Sequence, residues 1–140
     1  MRLVADASVV VKTLIPEPDS DLAAKILQAE CGAPDLIFAE VANVLWKVHR
    51  RGAITLDELS EATALLSAVN LEIATNGPLA AAALRYATAL DHAAYDCFYL
   101  ALAEQEGVHL ITADAGLQRK VSASNLTVKV LLVAEAAAQI

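Results

Sequence analysis

The spacing of apolar and polar positions divides this chain into short strands and longer helices. "RLVAD" (2–6) is an aliphatic run ending in an acid, the pattern of a buried strand. "EPDSDLAAKILQAE" (17–30) offers Asp and Ser as capping residues and then takes helical spacing. "APDLIFAEVANVLWKVHRRG" (33–52) predicts a long helix capped by Asp35, with basic residues in its last turn and Gly52 as its stop. "TLDELSEATALLSAV" (55–69) opens on Thr55 with Glu58 three residues later, a capping-box pattern. "LEIAT" (71–75) reads as a strand, and "GPLAAAALRYATAL" (77–90) places Pro78 just inside a helix start. "AAYDCFYLALAE" (93–104) continues as a helix to Gly107. "VHLIT" (108–112) and "TVKVLLV" (127–133) complete the strands, with "DAGLQRKVSAS" between them.

Short strands alternating with helices predict an α/β sandwich around a mainly parallel sheet. No linker, repeat or Pro/Gly-rich break interrupts the 140 residues, so a single domain over 1–140 is expected. Sheets of this kind bind ligands beyond the carboxyl ends of their strands. The polar residues near those ends therefore carry the functional question.

Asp6 follows "RLVA" and Asp114 follows "HLIT", so both acids reach the same rim of a parallel sheet. Strand ends also favour Asp as a turn residue, and neither position alone identifies a site. Glu40 adds information. Leu36, Ile37 and Val44 lie at i−4, i−3 and i+4 from it, so it points with the apolar stripe of its helix, whereas Lys47, Arg50 and Arg51 mark the solvent face. Asp96 repeats the anomaly in "AAYDCFYLALAE", with no Lys or Arg between positions 86 and 118 to neutralise it. A buried carboxylate is paired, hydrogen-bonded or metal-bound. Clustered carboxylates repel one another unless a cation intervenes. Hard oxygen ligands suit Mg²⁺ or Mn²⁺, and the chemistry that uses such a site is metal-assisted phosphoryl transfer.

Charge then changes meaning. The formal charge is −7 with an isoelectric point near 4.8, which opposes non-specific coating of nucleic acid. Two bound divalent cations would cancel four of those charges, so acidity is compatible with nucleic acid handled through metal ions. The hydrophobic fraction is 57% and the mean hydropathy +0.50, partly from alanine. No apolar run reaches the ~18 residues of a membrane span, and the acid at position 6 interrupts any signal-peptide core, so a cytoplasmic protein is expected. Cys31 and Cys97 have no metal-type spacing and read as small buried hydrophobes in a reducing compartment.

"VADASVVVK", "PDLIFAEVANVLW", "YDCFYLALAEQEG" and "LITADAGL" occur in an order and spacing that resembles PIN-domain ribonucleases, particularly the VapC-type toxins. The resemblance spans essentially the whole chain. It implies a PIN-like three-layer sandwich and a Mg²⁺- or Mn²⁺-dependent endoribonuclease site at Asp6, Glu40, Asp96 and Asp114. It implies a supporting hydroxyl at Thr112, with Ser8 in a similar role. It also implies an RNA substrate, a homodimer, and a small antitoxin whose tail blocks the site, often with a basic side chain. In the implied reaction a metal-activated water hydrolyses an RNA phosphodiester, with Asp6, Asp96 and Asp114 as metal ligands. Glu40 would ligate the metal or orient the water.

Other features carry less. Lys47, His49, Arg50 and Arg51 read as a solvated helix end opposing the macrodipole rather than a phosphate contact. His49, His92 and His109 share no ligand spacing, and Asp91 reads as a helix cap. Tyr95, Phe98 and Tyr99 read as core or dimer face before they read as base-stacking residues. Asn43, one turn beyond Glu40, is within reach of the site. A phosphoacceptor receiver domain is excluded because "LEIAT" supplies no acid at a central strand end and Glu40 and Asp96 would be unexplained. Neither a G-x-G-x-x-G nor a P-loop signature occurs. The competing reading is a catalytically inactive module of the same fold that acts through protein or RNA binding.

Overall fold

In a computed structural model that describes residues 1–140, five short strands form one sheet. They are β1 (Leu3–Ala5), β2 (Cys31–Pro34), β3 (Glu72–Ala74), β4 (His109–Thr112) and β5 (Val130–Leu132). The order is β3-β2-β1-β4-β5 and every pairing is parallel. Eight helices complete the chain: α1 (Ala7–Leu14), α2 (Ser20–Leu27), α3 (Leu36–Arg50), α4 (Leu56–Ala68), α5 (Ala80–Leu90), α6 (Ala94–Glu106), α7 (Ala115–Ser122) and α8 (Val133–Ala137).

Along β1 and β4 the strand period of two sorts side chains onto two faces. Val4, Ala33, Leu110 and Val130 join the larger core with α1, α3, α4, α5, α6 and α7. Ala5, Cys31 and Ile111 face the smaller core with Ala23 and Ile26 of α2 and Val133 and Ala136 of α8. Helices on both faces make the three-layer sandwich. Its sheet is wholly parallel rather than mainly so.

Four local expectations change. Residues 31–34 are a strand, not the approach to a helix. "CGAP" has little strand propensity, but all four residues are buried between β1 and β3, and burial overrides propensity. At Gly32 a Cβ would come within 2.3 Å of the Met1 sulfur, so a larger residue there would have to displace the end of that side chain. Asp35 does not cap α3: its backbone is helical and its Oδ1 accepts from the Asn76 N–H, while Asn76 Oδ1 accepts from the Leu36 N–H. Asp91 ends α5 in the left-handed region at φ 49° and makes no cap for α6. The segments 7–14, 115–122 and 133–137 are helices that spacing did not separate from their neighbouring strands. The Thr55–Glu58 capping box is present, and Gly107 closes α6 at φ 67°.

From β1 the chain adds β2 and β3 on one side, then returns to add β4 and β5 on the other. The order therefore reverses between β1 and β4. Their carboxyl ends flank the crevice where ligands bind in open α/β sheets.

Candidate active site

Asp6 leaves β1 at that crevice and begins α1, its Oδ1 accepting from the Val9 N–H. It is 7% exposed. Two hydroxyls grip its carboxylate: Ser8 Oγ donates to Oδ1 and Thr112 Oγ1 donates to Oδ2, each at 2.5 Å. The same hydroxyls accept from the β4 exit, Ser8 from the Ala113 N–H at 2.9 Å and Thr112 from the Asp114 N–H at 3.1 Å. Burial pushes the Asp6 carboxyl up to about 6, against the opposing pull of these hydrogen bonds, and the charge of Asp96 adds to the rise.

Asp114 leaves β4 and begins α7, its Oδ1 accepting from the Gly116 and Leu117 N–H groups at 2.8 and 3.1 Å. That spends one oxygen on the cap and leaves the other facing the groove. Asp96 lies in the first turn of α6, where the helix dipole favours an anion. It is less buried than its apolar neighbours suggest, with 33% of the side chain exposed, and His92 Nε2 sits 2.6 Å from its Oδ2.

Glu40 comes from the middle of α3, between the buried Ile37 and Val41. Its Oε1 is buried without a hydrogen-bond partner, and so is the Tyr99 hydroxyl on α6. Burial, then the charges of Asp96 and Asp6, push the Glu40 carboxyl up to about 7. Burial and the Glu40 charge in turn push the Tyr99 hydroxyl upward.

Asp6, Ser8, Glu40, Asp96 and Asp114 line one groove of about 300 Å³. Thr112, fully buried, touches the groove's acids through Asp6. The donor set fits a hard divalent cation: the charge of Asp96 raises the proton affinity of both Asp6 and Glu40, and Glu40 Oε1 is desolvated with no partner.

Residues 3–122 match the family model described as PIN domain. The chain belongs to the PIN-domain family. Ribonuclease VapC3 of Pyrobaculum aerophilum is 37% identical over 124 residues, covering 86% of this chain and 95% of its own. PAE2754 from the same organism superposes at a TM-score of 0.74 with 22% identity, covering 99% of this chain and 88% of the other. The Mycobacterium tuberculosis toxin VapC20, described as cleaving the sarcin–ricin loop, superposes at 0.63 with 14% identity, covering 91% and 98%. A toxin–antitoxin complex from Klebsiella pneumoniae superposes at 0.64 with 15% identity, covering 94% and 97%. At these identities the three structures establish the fold.

Not every predicted residue joins the groove of this PIN domain. Asn43 is exposed on α3 and borders a neighbouring cavity of about 430 Å³ with Leu36, Ala39 and Tyr95. That cavity shares Glu40, Val44 and Asp96 with the acid groove. The aromatic trio divides: Tyr99 is in the core, Phe98 packs against it, and Tyr95 is 67% exposed. His49 bonds the Ile54 carbonyl and Arg50 stacks over Trp46, which accounts for the end of α3 locally. Both cysteines are buried and unpaired, with burial pushing their thiols up to about 11.

Sequence spacing missed two lysines, Lys12 and Lys120. Lys12 is the only cation lining the groove, with its Nζ donating to the Pro18 carbonyl at 2.8 Å and lying 3.5 Å from Glu17 Oε2. Its signal was a lysine closing the apolar run "VVV", which places it on an inward helix face. His92, in the α5–α6 connection, meets Lys120 of α7, and no local spacing announces that contact.

Proposed function

We propose that this chain is a divalent-metal-dependent endoribonuclease that acts as the toxin of a toxin–antitoxin pair. The observation that supports it most is the convergence of Asp6, Glu40, Asp96 and Asp114 on one groove at the β1–β4 reversal, with one carboxylate oxygen buried and unpartnered. The 37% identity to a ribonuclease over most of both chains supports RNA as the substrate. Mg²⁺ is the favoured cation and Mn²⁺ its substitute, because the acids offer hard oxygen ligands. When bound, the cation lowers the pKa of the attacking water and stabilises charge on the phosphoryl oxygens.

The protein's own groups set the geometry. Asp6, fixed by Ser8 and Thr112, and Asp114, fixed by the first turn of α7, hold ligand oxygens at the two strand ends. Asp96 would supply a third from α6, and Glu40 would ligate the cation or orient the attacking water. The groove is open, so a phosphodiester in a single-stranded or looped RNA can lie across it. Resemblance to the VapC-type toxins supports a homodimer and a small antitoxin whose basic side chain would enter the acid groove.

Cleavage of mixed RNAs by the purified protein tests the proposal. Cleavage should require Mg²⁺ or Mn²⁺, stop on chelation, and be lost in a folded Asp96→Asn variant. Near-normal activity in that variant would remove the site assignment. Absence of cleavage by folded wild-type protein with metal would favour an RNA- or protein-binding module.

A further inference from the structure

Asp96 is held by one side chain outside the four-acid set. His92 lies one helical turn before it, at the junction of α5 and α6, with Nε2 2.6 Å from Asp96 Oδ2. The imidazole is more enclosed than the carboxylate it touches, 13% against 33% exposed. Its other nitrogen, Nδ1, lies 3.2 Å from Nζ of Lys120 on α7. The same Nζ donates to the Asp91 carbonyl at 2.8 Å, which fixes the lysine in place.

These contacts determine where the imidazole proton sits. A lysine ammonium has donors and no acceptor, so His92 Nδ1 accepts. A neutral imidazole that accepts at Nδ1 carries its proton at Nε2, and that proton points at Asp96 Oδ2. An imidazolium would set an Nδ1–H against the ammonium, donor against donor.

A different role is available on distance alone. Ligand atoms of His92, Asp96 and Asp114 lie within 4.8 Å of one another, close enough to share one cation. Ligation through Nε2 needs a lone pair there and hence a proton on Nδ1, where Lys120 already donates. The lysine therefore selects between the two roles.

We propose that His92, held in its Nε2–H tautomer by Lys120, is a positioning residue that clamps Asp96 Oδ2 and so fixes that carboxylate beside the acid groove. The proposal rests on the metal-site reading above. The ammonium stands one ring away, outside the groove-lining set.

The first test is the tautomer. Long-range ¹⁵N–¹H correlation spectra of the metal-free protein at pH 8, assigned with His92→Gln, should show the Nε2–H pattern for His92. An Nδ1–H or doubly protonated pattern overturns the proposal. The second test is Mn²⁺ binding by calorimetry. His92→Leu should weaken it by about ten- to a hundred-fold, as for other groups that orient metal ligands, and His92→Gln, which keeps an N–H donor, should recover much of the loss. Wild-type affinity in His92→Leu, or imidazole nitrogen coupling in the pulsed electron paramagnetic resonance of bound Mn²⁺, overturns it. If His92→Leu fails to fold, the tautomer measurement still decides. Asp96→Asn separates the two readings: lost binding and cleavage there, beside a normal His92→Leu, removes only the clamp. Normal binding and cleavage in Asp96→Asn removes the metal site itself.

Discussion

Thr112 Oγ1 donates to Asp6 Oδ2 at 2.5 Å, joining residues 106 positions apart across the ends of β1 and β4. The same oxygen accepts the Asp114 N–H, so one buried hydroxyl fixes the relative placement of two acids. Thr112→Val keeps the shape and leaves a buried carboxylate oxygen and a backbone N–H short of partners. Denaturant unfolding should show a loss of about 1–3 kcal/mol, and cleavage should fall further than stability explains. Thr112→Ser should recover most of both. A fully active, fully stable Thr112→Val would show that the hydroxyl positions nothing.

Stability of the metal-free protein should fall as pH rises. The folded-state values of Asp6 and Glu40, about 6 and about 7, lie above their ordinary 3.8 and 4.5. The native state therefore holds extra protons between about pH 4 and 7, and loses stability as pH climbs through that window. For Asp6 alone the loss is on the order of 2–3 kcal/mol. Thermal unfolding in chelator at pH 5 and pH 8 should give the higher Tm at pH 5. Adding Mg²⁺ or Mn²⁺ at pH 8 should restore much of the difference, because a ligand that binds only the native state stabilises it. Equal Tm values at both pH values would contradict the crowding of these acids.

Glu40→Gln should uncouple stability from function. It removes one member of the mutually repelling set, so the metal-free variant should unfold at higher temperature than wild type at pH 8. Cation-induced stabilisation and RNA cleavage should both decline. A metal-free Glu40→Gln less stable than wild type would point instead to a structural role for that carboxylate.

Tyr99→Phe should cost less than about 1 kcal/mol, because its buried hydroxyl has no hydrogen-bond partner to lose. Chemical denaturation measures this directly. A larger loss would reveal a bond from that hydroxyl to Glu40 in solution.

Lys12→Met retains the buried stem of the only cation in the groove and deletes its charge. If Lys12 meets an RNA phosphate, KM should rise more than kcat falls. The slope of log KM against log salt should flatten by about 0.7, the contribution of one phosphate on a single strand. An unchanged slope with lowered thermal stability would assign Lys12 to anchoring the Pro18 loop.

Much of this arrangement was legible in the chain itself. Asp6 and Asp114 announced themselves by following aliphatic runs with the pattern of buried strands. Glu40 announced itself by sharing an apolar stripe with Ile37 and Val44, and the Thr55–Glu58 box by its spacing. Each signal is local: it depends on residues within one turn or one strand, where side-chain direction follows from backbone period. The PIN resemblance added the expectation that these acids act together.

Tertiary structure decided what no local period contains. "CGAP" becomes a strand because β1 and β3 bury it, and Asp35 turns from cap to partner of Asn76 because a distant loop arrives beside it. Asp96, an anomaly inside an apolar helix, sits in a first turn with partial exposure because α6 begins at Ala94. Lys120 reaches His92 only when α7 packs near the α5–α6 junction. The chain's periodicity determined which residues face inward. Packing determined which of them meet, because contacts between segments far apart in sequence depend on how whole elements stack, and that is set by the burial of all of them at once.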